Sequence, residues 1–325
     1  MIRFLVILVC VCAFASRSIC NALLTNFHRP RSIFKSASSS FEELSDQQQY
    51  DFYFGTTFQQ YQEYITQEHI DSLFWKGYVI LDDVFSLVER ENIAKAFDEM
   101  EGVNFLQDEN EPYRDDAIQF VDEKRALPAI RMVICRLKGL ASTLQPHYAA
   151  ARNDPAQHWW EKSGDLYTPA TEDQPLTADT GAQLASFAPG GRYTIHSDNS
   201  QNWSGERRNF RAITCIAYAN PLDWSEEKDG GHLNIWPGTD YTELHDFDTR
   251  SDEGRAKIKE FLKTAPRVGN AGHETENRED ENCISVAPMP GRVVLFRSTM
   301  LHEVTPSKRR RRRAVTQWFQ CPQKK

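Results

Sequence analysis

Long apolar runs are scarce in this chain. The only one, FLVILVCVCAFA, follows Met1-Ile2-Arg3, and a mean hydropathy of −0.59 leaves the remainder without a membrane-spanning stretch. Cysteine is sparse as well. Seven occur in 325 residues, only Cys135, Cys215, Cys283 and Cys321 lie beyond the N-terminal segment, and none forms a CxxC pair. That pattern excludes a zinc ribbon, a dithiol redox centre and a disulfide framework, although a Cys283–Cys321 bond stays open in an oxidising lumen. Cys215, in an apolar strand, reads as a buried hydrophobe. No Ser/His/Asp set or carboxylate pair stands out, so hydrolysis by those routes has no support. No internal repeat appears, which excludes a solenoid.

Acidic residues are missing altogether from the first 40 positions. Residues 1–15 have the charged start, apolar centre and small-residue end of a signal peptide. Residues 16–41 are rich in Ser and Arg, as in a transit peptide. The pair resembles the bipartite plastid presequences of algae with secondary plastids. The alternative is a signal peptide with a basic linker, and then the ER lumen or secretion. Beyond this segment the balance is acidic: the whole chain carries −8, and the first 41 residues hold five cations and no acid, so the rest carries −13. An acidic chain is a poor nucleic-acid binder, and basic peptides suit it better. Residues 42–66, with QQQY and FQQYQEY, read as a polar tether.

Against these absences stands His196-Ser197-Asp198, with His302 104 residues after the Asp and Arg312 ten beyond that. Two imidazoles and one carboxylate cover one face of an octahedral metal and leave three positions open, the ligand set of non-haem Fe(II) oxygenases. On a strand, residues i and i+2 share a face, and GGRYTIHSD reads as a strand opened by a Gly turn. A second HxD, His69-Ile70-Asp71, falls in a helical pattern (Ile65, Ile70, Leu73, Phe74), where i and i+2 diverge; His69 is expected on the surface. GRVVLF (291–296), MLHEV and RAVTQWF (313–319) are short, turn-separated strands of the kind found in sandwiches and barrels.

Arg312 belongs to a run of six cations, Lys308 to Arg313. Most of that run reads as a solvated basic stretch. Alternation sets Arg312, Ala314, Thr316 and Trp318 on one strand face, so Arg312 reaches inward to clamp a carboxylate. Arg311 or Arg313 takes that place if the register shifts by one.

From about Leu184 to Phe319 the chain resembles the catalytic core of the 2-oxoglutarate and Fe(II)-dependent prolyl 4-hydroxylases, most of all the oxygen-sensing (hypoxia-inducible factor type) branch. The segments that carry the likeness are YTIHSDN, RAITCIAYAN with DW and DGGHLNIWP, GRVVLFRS, LHEVTP and RRAVTQWF. Upstream, YRDDAIQFVDE and ALPAIRMVICRLKGLAS add to it. The resemblance implies that His196, Asp198 and His302 bind iron, and that Arg312, helped by the Tyr218 hydroxyl, pairs with the distal carboxylate of 2-oxoglutarate. It makes Ile216 and Leu233 apolar walls of that pocket, ordinary core packing being their alternative, and sets Thr316 and Trp318 near the metal. It further implies O2 as co-reactant, ascorbate as reductant, and hydroxylation of prolyl residues in a protein or peptide with release of succinate and CO2. Hydroxylation of a free amino acid or small metabolite is one alternative, and a non-catalytic binding module another.

Two departures limit the likeness. The Arg stands one position further from the second His than in the oxygen sensors. Cys283 follows Pro237 by 46 positions, a much longer connection than theirs, and residues 239–282 read as an insert with an amphipathic helix at DEGRAKIKEFLKTA (Ile258, Phe261, Leu262). The expected domain spans residues 67–322, with its core at 184–319. Its fold is expected to be mainly β with flanking helices, a double-stranded β-helix (jelly roll). Ser86-Leu87-Val88-Glu89 signals a capped helix to about Met100. Residues 145–180 read as a loop region in which Trp159 and Trp160 either pack or line an entrance.

Overall fold

Val293, Val294, Leu295 and Phe296 are buried one after another, which is what an apolar run without alternation produces: a strand covered on both faces. Around it the computed structural model describes residues 65–82, 84–101, 105–107, 113–153, 176–178, 180–199, 211–240, 251–264 and 283–320. All of these fall in the Tyr50–Lys325 unit of the chain. The expected presequence, Trp159 and Trp160, Cys321 and the polar part of the insert lie outside the described residues.

In chain order the elements are α1 (Gln67–Lys76), β1 (Tyr78–Leu81), α2 (Leu87–Glu101), β2 (Asp116–Val121), α3 (Pro128–Asn153), β3 (Ala182–Phe187), β4 (Tyr193–His196), β5 (Arg211–Tyr218), α4 (Glu226–Asp229), β6 (Leu233–Asp240), α5 (Asp252–Thr264), β7 (Ile284–Val286), β8 (Val293–Arg297), β9 (Met300–Val304) and β10 (Arg312–Gln320). The strands form two antiparallel sheets, one of six in the order β1-β8-β5-β10-β3-β2 and one of four in the order β4-β9-β6-β7. This is the double-stranded β-helix. No described helix is long and apolar enough to cross a membrane.

Alternation assigns each side chain to one of two cores. Ile213, Cys215, Ala217, Val293, Leu295, Val315 and Phe319 point from the larger sheet toward α1, α2 and α3. Ile216, Tyr218, Val294, Phe296 and Ala314 point the other way, toward Leu233, Ile235 and Val304 of the smaller sheet. Burying a side chain of this size contributes about 1.5–3 kcal/mol, so the helical layer holds the larger sheet rigid from behind.

Local signals set the helix boundaries. At α2, Ser86 N–H donates to Glu89 and Glu89 N–H donates back to Ser86 Oγ, the expected capping box. At α1, the side chain that completes the box is His69, whose Nδ1 accepts from Thr66 N–H. His69 is therefore half-buried and engaged, not a free surface residue. α1 ends at Gly77, φ 81°, where a Cβ would lie 2.5 Å from Arg297 Nε. α3 runs on to Asn153, through what was expected to be loop from residue 145. Pro146 leaves only the Ser142 carbonyl without its donor, while Leu140, Ala141, Leu144 and Tyr148 continue one buried stripe across it. Burial outweighs the proline.

Candidate active site

β4 meets β9 at two points, Tyr193 opposite Val304 and His196 opposite His302, so three steps on β4 match two on β9. A bulge of this kind brings residues three apart onto one face. Tyr193 and His196 accordingly stack, ring centroids 3.7 Å apart and 15° from parallel. The expected strand HxD is thus only half present, because β4 ends at His196 and Asp198 lies in the bend beyond. That bend is tied down from both sides. Ser197 Oγ and Asn199 N–H donate to the Ser298 carbonyl at 2.9 and 2.8 Å, and Asn199 Nδ2 donates to the Arg211 carbonyl at 2.6 Å.

One potential ligand atom each from His196, Asp198 and His302 lies within 4.8 Å of the others. Nε2 of His196 is 3.8 Å from Asp198 Oδ1, and Nε2 of His302 is 3.8 Å from Oδ2. Each ring is oriented in the same way. Nδ1 of His196 lies 2.8 Å from the Thr194 carbonyl and Nδ1 of His302 lies 3.0 Å from the Met300 carbonyl. A carbonyl only accepts, so both Nδ1 atoms carry the proton and both Nε2 lone pairs face the common point. Burial, followed by the neighbouring His302, presses the His196 pKa well below its usual value. Burial alone raises Asp198, but His302, His196, Arg211 and the Trp318 N–H outweigh it and hold the carboxyl below its ordinary range. A neutral imidazole beside a carboxylate is the protonation state that metal binding requires.

Asp198 Oδ2 is itself held by two donors, Thr214 Oγ1 at 2.7 Å and Trp318 Nε1 at 3.0 Å. Thr214 also contacts Ser298 Oγ at 2.9 Å, and the Arg211 guanidinium stacks 3.5 Å from the Trp318 ring centroid. Thr214 and Ser298 escape notice in the sequence. The one signal for Thr214 is parity: it shares the inward face of an apolar strand with Ile216 and Tyr218, where a buried hydroxyl needs a partner.

Across the larger sheet, Arg312 stands opposite Phe187, with its guanidinium 5.2 Å from that ring centroid and 5.0 Å from the Tyr218 ring. Its Nε donates to the Gly231 carbonyl at 2.8 Å. Nη2 of Arg312 and the Tyr218 hydroxyl are both buried and have no hydrogen-bond partner other than each other among the described residues. Burial lowers the Arg312 pKa and raises that of Tyr218. Such under-satisfied donors are costly, and a carboxylate set between them satisfies both. Ile216 and Leu233 lie in the same core cluster as Tyr218, and Thr316 is the cross-strand partner of Ile216.

Arg313 points the opposite way, to Asp98 and Glu101 of α2, and Arg311 sits half-exposed 3.6 Å from Glu101. Arg312 and Arg313 are both buried, but among the three arginines only Arg312 lies beside Gly231 and Tyr218. The remainder of the basic run is exposed at Lys308, Arg309 and Arg311, as expected of a solvated stretch, but it is also paired. Arg309 Nε donates to the buried Asp229 at 2.9 Å, Arg310 to Asp223 at 2.8 Å, and Lys308 to the Glu227 carbonyl at 2.9 Å. Each cation closes on an acid or a carbonyl near α4 and α2, and the run acts as a clasp.

Residues 182–320 match the family model of the 2OG-Fe(II) oxygenase superfamily, whose members use Fe(II), 2-oxoglutarate and O2. No curated protein matches the chain. Among solved structures, a non-haem α-ketoglutarate-dependent carbocyclase from nogalamycin biosynthesis (SnoK) is 14% identical with a TM-score of 0.52, over 79% of this chain and 85% of that one. A Pseudomonas putida prolyl-4-hydroxylase is 18% identical, TM-score 0.48, over 79% and 98%. A prolyl hydroxylase in complex with a hypoxia inducible factor peptide fragment, from Trichoplax adhaerens, is 17% identical, TM-score 0.48, over 78% and 87%. The matched residues span β3 to β10 and include every candidate ligand, so residues 182–320 form a domain of the 2OG-Fe(II) oxygenase superfamily.

Proposed function

We propose that this dioxygenase hydroxylates prolyl residues of a protein or peptide. The observation that carries the oxygenase chemistry is the pairing of three ligand atoms within 4.8 Å with two buried donors, on Arg312 and Tyr218, that have no partner but each other among the described residues. In this reading His196, Asp198 and His302 hold Fe(II) and leave three positions open. Arg312 and Tyr218 take the distal carboxylate of 2-oxoglutarate, Ile216 and Leu233 wall its carbon chain, and Thr316 and Trp318 flank the metal end. The chemistry that Fe(II) supplies when bound is oxidative: 2-oxoglutarate and O2 are consumed, succinate and CO2 leave, and one oxygen atom enters a substrate C–H bond as hydroxyl. The protein contributes orientation and water exclusion. Thr214 and Trp318 fix the Asp198 carboxylate, and the Nδ1–H bonds of both histidines fix their rings.

The prolyl assignment rests on the sequence motifs shared with the oxygen-sensing hydroxylases, and the acidic mature chain suits a basic, Pro-containing peptide. The long β6–β7 connection, with α5 inside it, departs from that pattern, and a small-molecule substrate is the second reading. Ascorbate is the reductant assigned to the reaction. Residues 1–41 are assigned to secretory entry and then plastid import, with the ER lumen as the other destination; imaging a fusion of the first 45 residues decides between them.

Succinate release by the protein supplied with Fe(II), ascorbate, 2-oxoglutarate and Pro-containing peptides tests the reading. Peptide-dependent succinate, with one oxygen gained by the peptide, is the expected result. Turnover independent of any peptide favours the small-molecule reading, and no turnover at all leaves a binding module.

A further inference from the structure

α5 pairs with neither sheet, yet it has a place in the fold. Ile258 and Leu262, one turn apart on it, are buried in one cluster with Ile195 of β4 and Leu301 of β9, and Trp236 and Phe261 pack around them. Ile195 and Leu301 are the chain neighbours of His196 and His302, which are cross-strand partners of each other. They lie on the face of the smaller sheet that the ligand candidates do not use.

β4 needs such support. It has four residues, stands at the edge of its sheet, meets β9 at only two points with a bulge between them, and on its other side has, among the described residues, one bridge, Tyr193 to Arg114, made by two backbone hydrogen bonds. Short edge strands are weakly specified in register, and a slip of one residue exchanges the two faces. Here that slip would turn Ile195 into the site and drive the His196 ring under α5.

We propose that α5 locks the register of the bulge, with Ile258 and Leu262 as positioning residues for His196. In the observed register α5 covers Ile195, which is 1% exposed, and the imidazole keeps its bond to the Thr194 carbonyl. In the slipped register α5 covers the Nε2 edge of the ring with apolar side chains and takes it away from Asp198, which leaves that nitrogen unpaired and is unfavourable. α5 thus selects the register that aims Nε2 at the ligand point. The inference rests on the reading of His196, Asp198 and His302 as metal ligands.

Co(II) added alone to the full-length protein, followed by absorption, measures the affinity and coordination of the site, while thermal unfolding reports the fold. Wild type and His196→Ala are the references. Ile258→Ala and Leu262→Ala are expected to weaken Co(II) binding by about tenfold, the usual effect of losing a support to a metal ligand, and to alter the Co(II) spectrum. The KM for 2-oxoglutarate at saturating Fe(II) is expected to stay unchanged while kcat falls, because Arg312 and Tyr218 belong to the other sheet. Ile258→Leu should restore the Co(II) affinity. If Ile258→Ala fails to fold, Ile258→Val and Leu262→Ala are measured in its place. Unchanged Co(II) affinity in folded variants overturns the register lock and leaves the ligand reading standing, as does loss of both affinities in step with a collapsed unfolding transition. A wild type that binds no Co(II), or a His196→Ala variant that binds it as tightly, overturns both.

Discussion

Trp318 donates its indole N–H to Asp198 Oδ2 at 3.0 Å, the same oxygen that accepts from Thr214 at 2.7 Å. Two donors on one oxygen fix the carboxylate rotamer and leave Oδ1 turned toward His196. Trp318→Phe keeps the ring under Arg211 but removes the donor. We expect Fe(II) affinity to fall by about tenfold, read by anaerobic titration, with Thr214→Val acting in the same direction. An unchanged affinity in both variants would reduce these residues to packing.

Arg312 and Arg313 are adjacent in sequence and serve opposite faces of β10, so their variants should fail in different ways. Arg312→Ala removes the guanidinium beside Tyr218; losing a hydrogen bond to a charged group costs about 1.5–3 kcal/mol, which is roughly a tenfold to hundredfold rise in the KM for 2-oxoglutarate. Fe(II) affinity should hold. Arg313→Ala instead breaks the link from β10 to Asp98 and Glu101 of α2. It should lower the unfolding temperature and leave that KM alone. Steady-state kinetics and melting curves on the two proteins check the pair, and a KM effect confined to Arg313 would move the clamp one residue along.

Gly231 offers a finer probe of the same clamp. Its φ is +72°, and a Cβ there would lie 3.0 Å from Arg312 Cδ, while its carbonyl holds Arg312 Nε. Gly231→Ala should raise the KM for 2-oxoglutarate, by less than Arg312→Ala does, without changing Fe(II) affinity. Gly190→Ala is the control: its φ is +87°, with nothing within 4 Å of an added Cβ. Both substitutions carry backbone strain, so a KM effect in Gly231→Ala alone isolates the contact with Arg312.

Much of this site was legible in the sequence because it depends on parity. Arg312, Ala314, Thr316 and Trp318 share a face in any straight strand, and the Ser86–Glu89 box declares a helix start wherever it occurs. The bulge in β4 was not legible, since it exists only in relation to β9 and leaves no mark in Tyr193-Thr194-Ile195-His196. The basic clasp was hidden for a related reason. Asp229 and Asp98 stand 80 and 215 positions from Arg309 and Arg313, and a charge run reads as solvated until its distant partners are known. Pro146 misled in the opposite direction, because a local breaker was overridden by the burial of Tyr148 beyond it.

Glu89 links α2 to α3, accepting hydrogen bonds from both terminal nitrogens of Arg136 and from Ser86 N–H. Burial alone raises its pKa, yet the Arg136 bonds and charge, with the Ser86 amide, outweigh burial and hold it below the ordinary 4.5. A carboxyl that is more acidic folded than unfolded contributes stability at pH above its unfolded value. That contribution is lost as pH falls from there through the depressed folded value, since the unfolded chain takes up the proton first. The unfolding temperature of the wild type should therefore drop as pH is lowered from about 5 to about 3, and part of that drop belongs to Glu89. Glu89→Gln should be less stable at neutral pH and show a flatter acid limb, the two curves converging at low pH. Melting curves across that range decide the matter, because parallel limbs would mean that Arg136 holds the helices together without help from this charge.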